Sequence, residues 1–179
     1  MNNKQIQTLL NVWLKSQKKT LLVVDGKIGP LTRQASKDFQ KAHGLVVDGK
    51  PGPITQYELM FFKYSNFRKS EFKCKCGGKY CNGYPVKVDE NLLILLQKIR
   101  YHFGKPVNIN SAIRCKQHNR NIGSTDTSQH VRGAAADIRI SSISPSTVYN
   151  YCNSINPSGG VGKYSTFTHI DTRNKRARW

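Results

Sequence analysis

Acidic residues are scarce in this chain. Its 179 residues include ten Asp and Glu but 29 Lys and Arg, so the formal net charge at pH 7 is +19 and the isoelectric point is near 10.0. Such a charge predicts a polyanionic partner. The basic residues are spread over both halves of the chain, and the sequence has none of the aromatic-flanked motifs with which domains read RNA or DNA. The composition therefore argues against a specific nucleic-acid-binding protein.

Long hydrophobic runs are also absent. The longest uninterrupted apolar run, residues 92–96, is far shorter than the roughly 20 residues that a membrane-spanning helix needs. The first residues contain no apolar segment followed by a small-residue cleavage site, which a secretory signal peptide would have. We therefore expect a protein without a transmembrane segment that is made in the cytoplasm without a signal peptide, and we expect it to be a monomer.

Cysteine is limited to five residues, an odd number that cannot be fully paired within the chain. Three of them, Cys74, Cys76 and Cys81, fall within eight residues in the run FKCKCGGKYC. Thiolates at this spacing are candidate ligands of a structural zinc ion, but no fourth ligand lies nearby in the sequence. A disulfide is an alternative, and the interpretation that we favour is a knotted loop of buried thiols that packs on the core.

A repeat with an offset of 23 residues lies in the N-terminal part of the chain. VVDGKIGPLT at residues 23–32 recurs as VVDGKPGPIT at residues 46–55. In each copy Asp-Gly marks a turn, and Gly-Pro followed by Thr marks the start of a helix. Apolar residues at helical spacing predict helices over residues 3–16, 31–43 and 57–62. The sequence therefore predicts a small three-helix domain at residues 1–63.

This three-helix domain resembles the peptidoglycan-binding domain attached to many cell-wall hydrolases. The segments DGKIGPLT and ASKDFQKAHGLVVDGKPGPIT, with the helix before them, carry the resemblance. It implies that bacterial peptidoglycan, glycan and stem peptide together, is a partner. A wall that contains teichoic acid would supply the anionic polymer that the net charge predicts. The Asp-Gly and Gly-Pro turns shape the helices whether or not glycan binds, so no binding residue is assigned in this domain.

Residues 64–179 form the second predicted domain, after a polar and basic stretch without periodicity. Helical patterns predict one helix that Asp89 caps and another that starts at Ser144 or Ser146. Alternation and short apolar runs predict a strand after the turn at Gly133, and others at residues 107–110, 161–164 and 167–171. The predicted fold class is α+β, with a small antiparallel sheet and helices in this domain.

Two imidazoles and a carboxylate of the second domain form a candidate metal site. His130 and Asp137 lie on either side of the turn at Gly133, and His169 lies in the alternating segment FTHID. Asp171 follows His169 by two residues, so both side chains share a strand face. Two histidines and a carboxylate are a ligand set of catalytic zinc sites, which leave one position for water. We therefore predict Zn²⁺ bound by His130, Asp137 and His169.

The segments SQHVRGAAADI and FTHID, with SAIRCKQHNRNIGS upstream, resemble the zinc D-alanyl-D-alanine carboxypeptidase family over residues 66–179. These are peptidoglycan peptidases related to phage endolysins that cut L-Ala-D-Glu bonds. The family pattern is Ser-x-His, six residues, Asp and a distant His. It matches here at Ser128, His130, Asp137 and His169.

The resemblance also implies roles in substrate binding and catalysis. An arginine that follows a strand contacts substrate in this family, and that position is Arg114. Its planar guanidinium suits a carboxylate of the stem peptide. Ser128 and Tyr164 are further candidates for substrate contacts.

A zinc peptidase also needs a general base to accept a proton from water. The resembled enzymes often place an acidic base three residues before the second histidine, where this chain has Thr166. Among the few acidic residues of the domain, Asp171 and Asp126 have no other assignment. We predict Asp171 as the base because it shares a strand face with His169. Orientation of a metal ligand is its alternative role.

Together these features predict an endolysin-like peptidoglycan hydrolase of phage or prophage origin that acts at the cell wall. It would cleave a stem-peptide bond by zinc-activated water, as a D-Ala-D-Ala carboxypeptidase or endopeptidase. An L-Ala-D-Glu endopeptidase is an alternative with the same chemistry. Thr166 at the usual position of the base raises a second alternative, a catalytically inactive wall-binding protein. A third is a zinc-ribbon nucleic-acid binder built on the three clustered cysteines.

Overall fold

The computed structural model describes residues 1–179, and the chain divides into two compact units, Met1–Phe67 and Arg68–Trp179. The division falls a few residues after the domain boundary placed from the sequence. The first unit is helical, and the second combines helices with a five-stranded sheet. The predicted fold class is therefore confirmed. None of the helices combines the length and the apolar character that crossing a bilayer requires.

The first unit is built from three helices around one apolar core. They are α1 (Asn3–Ser16), α2 (Pro30–Ala42) and α3 (Pro53–Lys63). Both α2 and α3 start with a proline, whose fixed φ suits the first helical position and whose missing N–H costs nothing there. The completely buried side chains of Leu10, Phe39 and Leu59 join the three helices.

Two buried glutamines give the sequence repeat a structural explanation. The amide nitrogen of Gln7 donates to the Asp25 carboxylate (2.8 Å) and to the Lys27 carbonyl (3.0 Å). The amide oxygen of Gln7 accepts from the Gly26 N–H (2.7 Å). Gln40 makes the same three bonds to the Asp-Gly-Lys turn of the second copy, at 2.8, 3.0 and 2.9 Å. Each turn is therefore fixed by an amide side chain from a preceding helix.

The second unit contains the remaining helices and all the strands. After a short 3-10 helix (Lys69–Phe72) come α4 (Glu90–Phe103), β1 (Val107–Ser111), α5 (Lys116–Asn121), β2 (Ala135–Ile140), α6 (Pro145–Ile155), β3 (Gly160–Lys163), β4 (Thr168–Asp171) and β5 (Ala177–Arg178). Asp89 caps α4 and Ser144 caps α6, as predicted. Helix α5 lies in a polar segment for which no helix was predicted.

The five strands form one sheet in the order β1-β2-β4-β3-β5. Neighbouring strands are antiparallel except for β3 and β5, which are parallel. The expectation of an antiparallel sheet is therefore wrong at this edge, because the chain crosses over after β4 and returns alongside β3. Helix α6 packs against β2, β3 and β4, and α4 packs against β1 and α6.

The pairing of β2 with β4 determines which side chains meet. In this register Asp137 lies directly opposite His169, and Ala135 lies opposite Asp171. Side chains that are directly opposite on antiparallel strands project from the same face of the sheet. Asp137, His169 and Asp171 consequently share one face, although 32 residues separate the first two in sequence.

Candidate metal centre

The side chains of His130, Asp137 and His169 converge where β2 pairs with β4. His130 Nε2 lies 3.3 Å from His169 Nδ1 and 3.3 Å from Asp137 Oδ1. His169 Nδ1 lies 2.9 Å from the same carboxylate oxygen. The ligand atoms of a tetrahedral zinc ion bound at about 2.0–2.1 Å are themselves roughly 3.3 Å apart. The spacing and the chemical type of these donors therefore fit a zinc ion.

A tight turn between α5 and β2 positions His130. Gly133 has φ +72°, and a Cβ atom at this position would lie 2.1 Å from the Lys87 carbonyl oxygen. Only glycine fits both constraints. The turn is tied to the segment after β1, because the Arg114 N–H donates to the His130 carbonyl (3.1 Å).

Each of the three converging side chains also has a second hydrogen-bond partner. His130 Nδ1 bonds to the Ala112 carbonyl (2.6 Å), and His169 Nε2 bonds to Asp171 (3.0 Å). Both contacts favour the tautomer that carries its proton on the nitrogen outside the cluster. The other oxygen of Asp137 accepts from the Arg114 guanidinium. Such partners orient the ligands of metal sites and fix their tautomers.

The cluster opens into a cavity of about 450 Å³. Among the fourteen residues that line it are His130, Asp137 and His169, together with Arg114, Ser128 and Tyr164 from the sequence prediction. Most of the wall is polar, and Asp137 is its only acidic residue. The cavity therefore places two arginines and several neutral hydrogen-bonding side chains beside the candidate metal ligands.

A family model described as Peptidase M15 matches residues 65–171, which is more than half of the chain. The chain belongs to the peptidase M15 family. A second model, described as a putative peptidoglycan binding domain, matches residues 2–59. The two matches correspond to the two compact units.

Among curated proteins, this M15 chain is similar to a zinc D-Ala-D-Ala carboxypeptidase of Streptomyces albus G. The two are 32% identical over 128 residues, which cover 65% of this chain and 50% of the relative. The chain thus matches about half the length of that relative.

Burial and hydrogen bonding set the protonation of the candidate ligands in the M15 unit. Burial lowers the pKa of His130, which favours the neutral imidazole that a metal requires. Burial also opposes charge on Asp137, but hydrogen bonds with His130 and His169 outweigh it and lower the pKa of this carboxyl. For His169 burial lowers the pKa, and the carboxylates of Asp137 and Asp171 outweigh it and raise the pKa.

Asp171 is completely buried and does not line the cavity of the M15 unit. Its carboxylate accepts from His169 Nε2, from the guanidinium of Arg173 and from the N–H of Gly160 (3.0 Å). The geometry does not fit the predicted general base, because a base must reach the water or substrate that it deprotonates. It fits the alternative role, orientation of a metal ligand.

The other positions considered for the base also lie away from the cavity wall. Asp126 is half-buried, is paired with Arg120 and does not line the cavity. Thr166 lines a different cavity, together with Arg139 and Ser141. The position three residues before His169 therefore does not face the candidate metal ligands in this chain.

Arg114 is placed both to contact a substrate in the cavity and to position the Asp137 carboxylate. Its Nε donates to the hydroxyl of Ser111 (2.9 Å), and its NH2 group donates to Asp137. The guanidinium lines the cavity while holding the carboxylate. The sequence indicated the first role only.

Eight of the fourteen cavity residues were not predicted as site residues, and among them are Phe167, Arg173 and Trp179. The ring of Trp179 lies 5.0 Å from that of His169, and its Nε1 donates to the Tyr164 hydroxyl (2.9 Å). The parallel pairing of β5 with β3 returns the chain end to the site. A two-residue strand leaves no recognisable periodicity, so Trp179 had no signal in the sequence. Phe167 had one, because it shares the alternation of His169 and Asp171.

Proposed function

We propose that this M15 protein is a zinc-dependent peptidase that cleaves the stem peptide of peptidoglycan, with D-Ala-D-Ala carboxypeptidase or endopeptidase activity. The observation that carries the proposal is the convergence of His130 Nε2, Asp137 Oδ1 and His169 Nδ1 at the wall of a polar cavity. The name of the Streptomyces relative and the match to a peptidoglycan-binding model support this choice of substrate.

The proposed roles of the residues follow from their contacts. His130, Asp137 and His169 hold the zinc ion, which when bound lowers the pKa of a coordinated water and polarises a carbonyl. Arg114 fixes the Asp137 carboxylate and presents its remaining N–H groups to an anionic group of the stem peptide. Ser128 and Tyr164 offer hydroxyl groups to the peptide backbone from the cavity wall.

We propose that Asp171 positions His169 and does not act as the base. Its carboxylate fixes the Nε2–H tautomer of His169, which leaves the Nδ1 lone pair free for the metal. Burial opposes charge on Asp171, but hydrogen bonds with His169 and Arg173 outweigh it and lower the pKa of this carboxyl, which keeps it ionised. A buried acid that is engaged on both sides suits orientation better than proton transfer.

The proposal is tested by mass spectrometry of purified peptidoglycan after incubation with the full chain. Release of free D-Ala with shortened stem peptides would establish carboxypeptidase activity. Peptides that begin with D-Glu would instead establish an L-Ala-D-Glu endopeptidase, the alternative with the same metal chemistry. The His169→Ala variant is the control and should generate neither product.

A second candidate is a wall-binding protein without peptidase activity. It is favoured by one specific observation, that Asp137 is the only carboxylate on the cavity wall and already contacts His130 and His169. In the same experiment this candidate predicts no new termini, even at high protein concentration, while the protein still sediments with peptidoglycan.

We also propose an endolysin-like role in which the first unit holds the enzyme on the wall. The match of residues 2–59 to a peptidoglycan-binding model supports this arrangement. Cell lysis separates the two D-Ala-specific activities, because removal of a terminal residue leaves cross-links intact whereas an endopeptidase opens them. Loss of turbidity after addition of the protein to permeabilised cells would support the endopeptidase. Intact cells with trimmed stem peptides would support the carboxypeptidase and contradict the endolysin role.

A further inference from the structure

Four of the five cysteines meet in the second unit, and none of them lines the cavity of the candidate catalytic site. Cys74, Cys76 and Cys81 lie in one loop, and Cys115 joins them from the start of α5. The four sulfur atoms all lie within 4.8 Å of one another. The fourth thiol, which the sequence did not identify near the other three, thus comes from a segment 41 residues after Cys74.

The spacing of the sulfurs matches a tetrahedral metal site better than a disulfide. With zinc–sulfur distances of about 2.3 Å, the sulfurs of a four-cysteine site are roughly 3.8 Å apart. Cys76 Sγ and Cys81 Sγ are 3.5 Å apart, whereas a disulfide would bring them to about 2.0 Å. All five cysteines are free thiols in the structure. Tetrahedral sites with four thiolates select zinc or iron.

Backbone groups around the cluster are arranged to receive thiolates. The N–H of Gly83 donates to Cys81 Sγ (3.4 Å), and the N–H of Cys115 donates to Cys74 Sγ (3.3 Å). The N–H of His118 donates to Cys115 Sγ (3.4 Å). Hydrogen bonds of this kind stabilise the charged form of a ligand and hold it in place.

A backbone hydrogen bond and three glycines hold the loop in a tightly turned conformation. The N–H of Cys74 donates to the carbonyl of Gly83 (2.8 Å), which closes the loop. Gly77, Gly78 and Gly83 all have positive φ, a conformation that side-chain-bearing residues rarely adopt. The loop also contains lysines that can offset the two net negative charges left by four thiolates and one Zn²⁺. They are Lys75 and Lys79.

We propose that Cys74, Cys76, Cys81 and Cys115 form a second metal site, which binds one zinc ion with a structural role. This site is separate from the proposed catalytic centre and does not depend on peptidase activity. Zinc here would fasten the loop of residues 74–83 to the segment after β1. That segment contains Ala112, whose carbonyl accepts from His130, and Arg114, which contacts Asp137.

Metal analysis and zinc X-ray absorption spectroscopy of the purified full chain test the proposal. Wild-type protein should hold two zinc ions, and the spectrum should contain sulfur neighbours at about 2.3 Å together with nitrogen or oxygen neighbours. The His169→Ala variant should retain one zinc ion with sulfur neighbours only. This result does not require a cysteine variant, so it holds even if the cysteine variants fail to fold.

Cysteine variants supply the matched comparison. Cys76→Ser combined with Cys81→Ser should lower the zinc content by one and leave nitrogen and oxygen neighbours. Cys152→Ser should leave two zinc ions bound, because this buried cysteine lies on α6 and is not part of the cluster. Absence of sulfur neighbours in wild-type protein would overturn the proposal. So would iron in place of zinc, or a Cys76–Cys81 disulfide in protein purified under reducing conditions.

Discussion

His169 is held between two carboxylates, one at each ring nitrogen. Nδ1 lies 2.9 Å from Asp137 and Nε2 lies 3.0 Å from Asp171. A neutral imidazole has a single N–H donor, so only one of these contacts can be a hydrogen bond to a charged oxygen. With metal at Nδ1, the proton resides on Nε2, and the Asp171 carboxylate accepts the hydrogen bond from this N–H. The tautomer of His169 is therefore set by a residue that lies outside the cavity.

Asp171→Asn tests this positioning role. The amide keeps the size of the side chain but removes the negative charge opposite Nε2–H and the partner of Arg173. We expect zinc affinity at the catalytic centre to fall by about 10- to 100-fold, as for other partners of metal-ligating histidines. Competition with a chromogenic chelator measures the affinity, and peptidase activity at saturating zinc is measured in parallel.

The two roles of Asp171 predict different results. A general base would leave zinc affinity unchanged and reduce activity even at saturating zinc. Asp126→Asn is the matched control, because Asp126 does not line the cavity and is paired with Arg120. It should change neither quantity if both sequence-based candidates for the base are wrong.

The sequence predicted which residues of this site share a face of the sheet. It did not predict which of them face the cavity and which are buried behind it. Alternation in FTHID places His169 and Asp171 on one side of a strand, and the register of β2 and β4 adds Asp137. Whether Asp171 faces the cavity depends on Arg173 and on the close backbone of Gly160, where a Cβ would lie 2.2 Å from its carboxylate. Contacts of this kind depend on the assembled sheet and leave no periodic signal.

At the level of elements, the turn before β2 links backbone geometry to the candidate metal centre. Gly133 and Gly123 both have positive φ, at +72° and +78°. A Cβ at Gly133 would overlap the Lys87 carbonyl, whereas a Cβ at Gly123 would meet nothing within 4 Å. Substitution of Gly123 therefore tests backbone strain alone, whereas substitution of Gly133 tests backbone strain and steric overlap together.

We predict that Gly123→Ala lowers the free energy of unfolding by about 1–2 kcal/mol, the usual cost of a left-handed backbone for alanine. Gly133→Ala should cost more, because the backbone at residue 87 must also move. It should weaken zinc binding as well, since the turn carries His130. Chemical denaturation followed by circular dichroism and chelator competition measure the two effects. Equal losses of stability in the two variants would contradict the steric explanation.

The two Asp-Gly turns of the first unit also depend on residues distant in sequence, the glutamines of the preceding helices. The sequence repeat correctly marked both Asp-Gly turns, but it did not indicate the glutamines that hold them. Gln7 precedes its aspartate by 18 residues and Gln40 precedes its own by eight. This unequal spacing places the glutamines outside the repeat, so they become visible only when the helices pack.

Gln40→Leu should lower the free energy of unfolding of the first unit by about 1–3 kcal/mol. The substitution leaves the buried N–H of Gly49 without its partner and removes one of the hydrogen bonds of the Asp48 carboxylate. Gln34→Leu is the control, because this side chain is exposed and bonds only to Asp38 one turn away. Urea unfolding followed by Trp13 fluorescence, in a Trp179→Phe background, reports on this unit alone. A similar effect of both substitutions would contradict the role of Gln40.

For the molecule as a whole, the excess of positive charge lies in both units. Unit 1 has ten basic and four acidic residues, and unit 2 has 19 basic and six acidic residues. Few of these charges are needed for internal pairing, since the acidic residues are so few. The remaining cations are available to an anionic polymer, and their number was evident from composition alone. Which polymer they meet depends on where the protein acts.

We predict that the full chain binds cell walls through two separable contributions. Electrostatic attraction to wall polymers should weaken as salt rises, because exposed charges are screened over about 8 Å at physiological ionic strength and over about 3 Å at 1 M. Recognition of peptidoglycan by the first unit should depend less on salt. Sedimentation of the protein with intact walls should therefore fall with added salt to a plateau.

Walls stripped of teichoic acid provide the comparison that separates the two contributions. Binding to stripped walls at low salt should match the plateau that intact walls reach at high salt, since both conditions remove the electrostatic part. The His169→Ala variant should be used throughout so that hydrolysis does not release the protein. If binding changes neither with salt nor with removal of teichoic acid, the positive charge serves another partner. Complete loss of binding from stripped walls would contradict a peptidoglycan-binding role for the first unit.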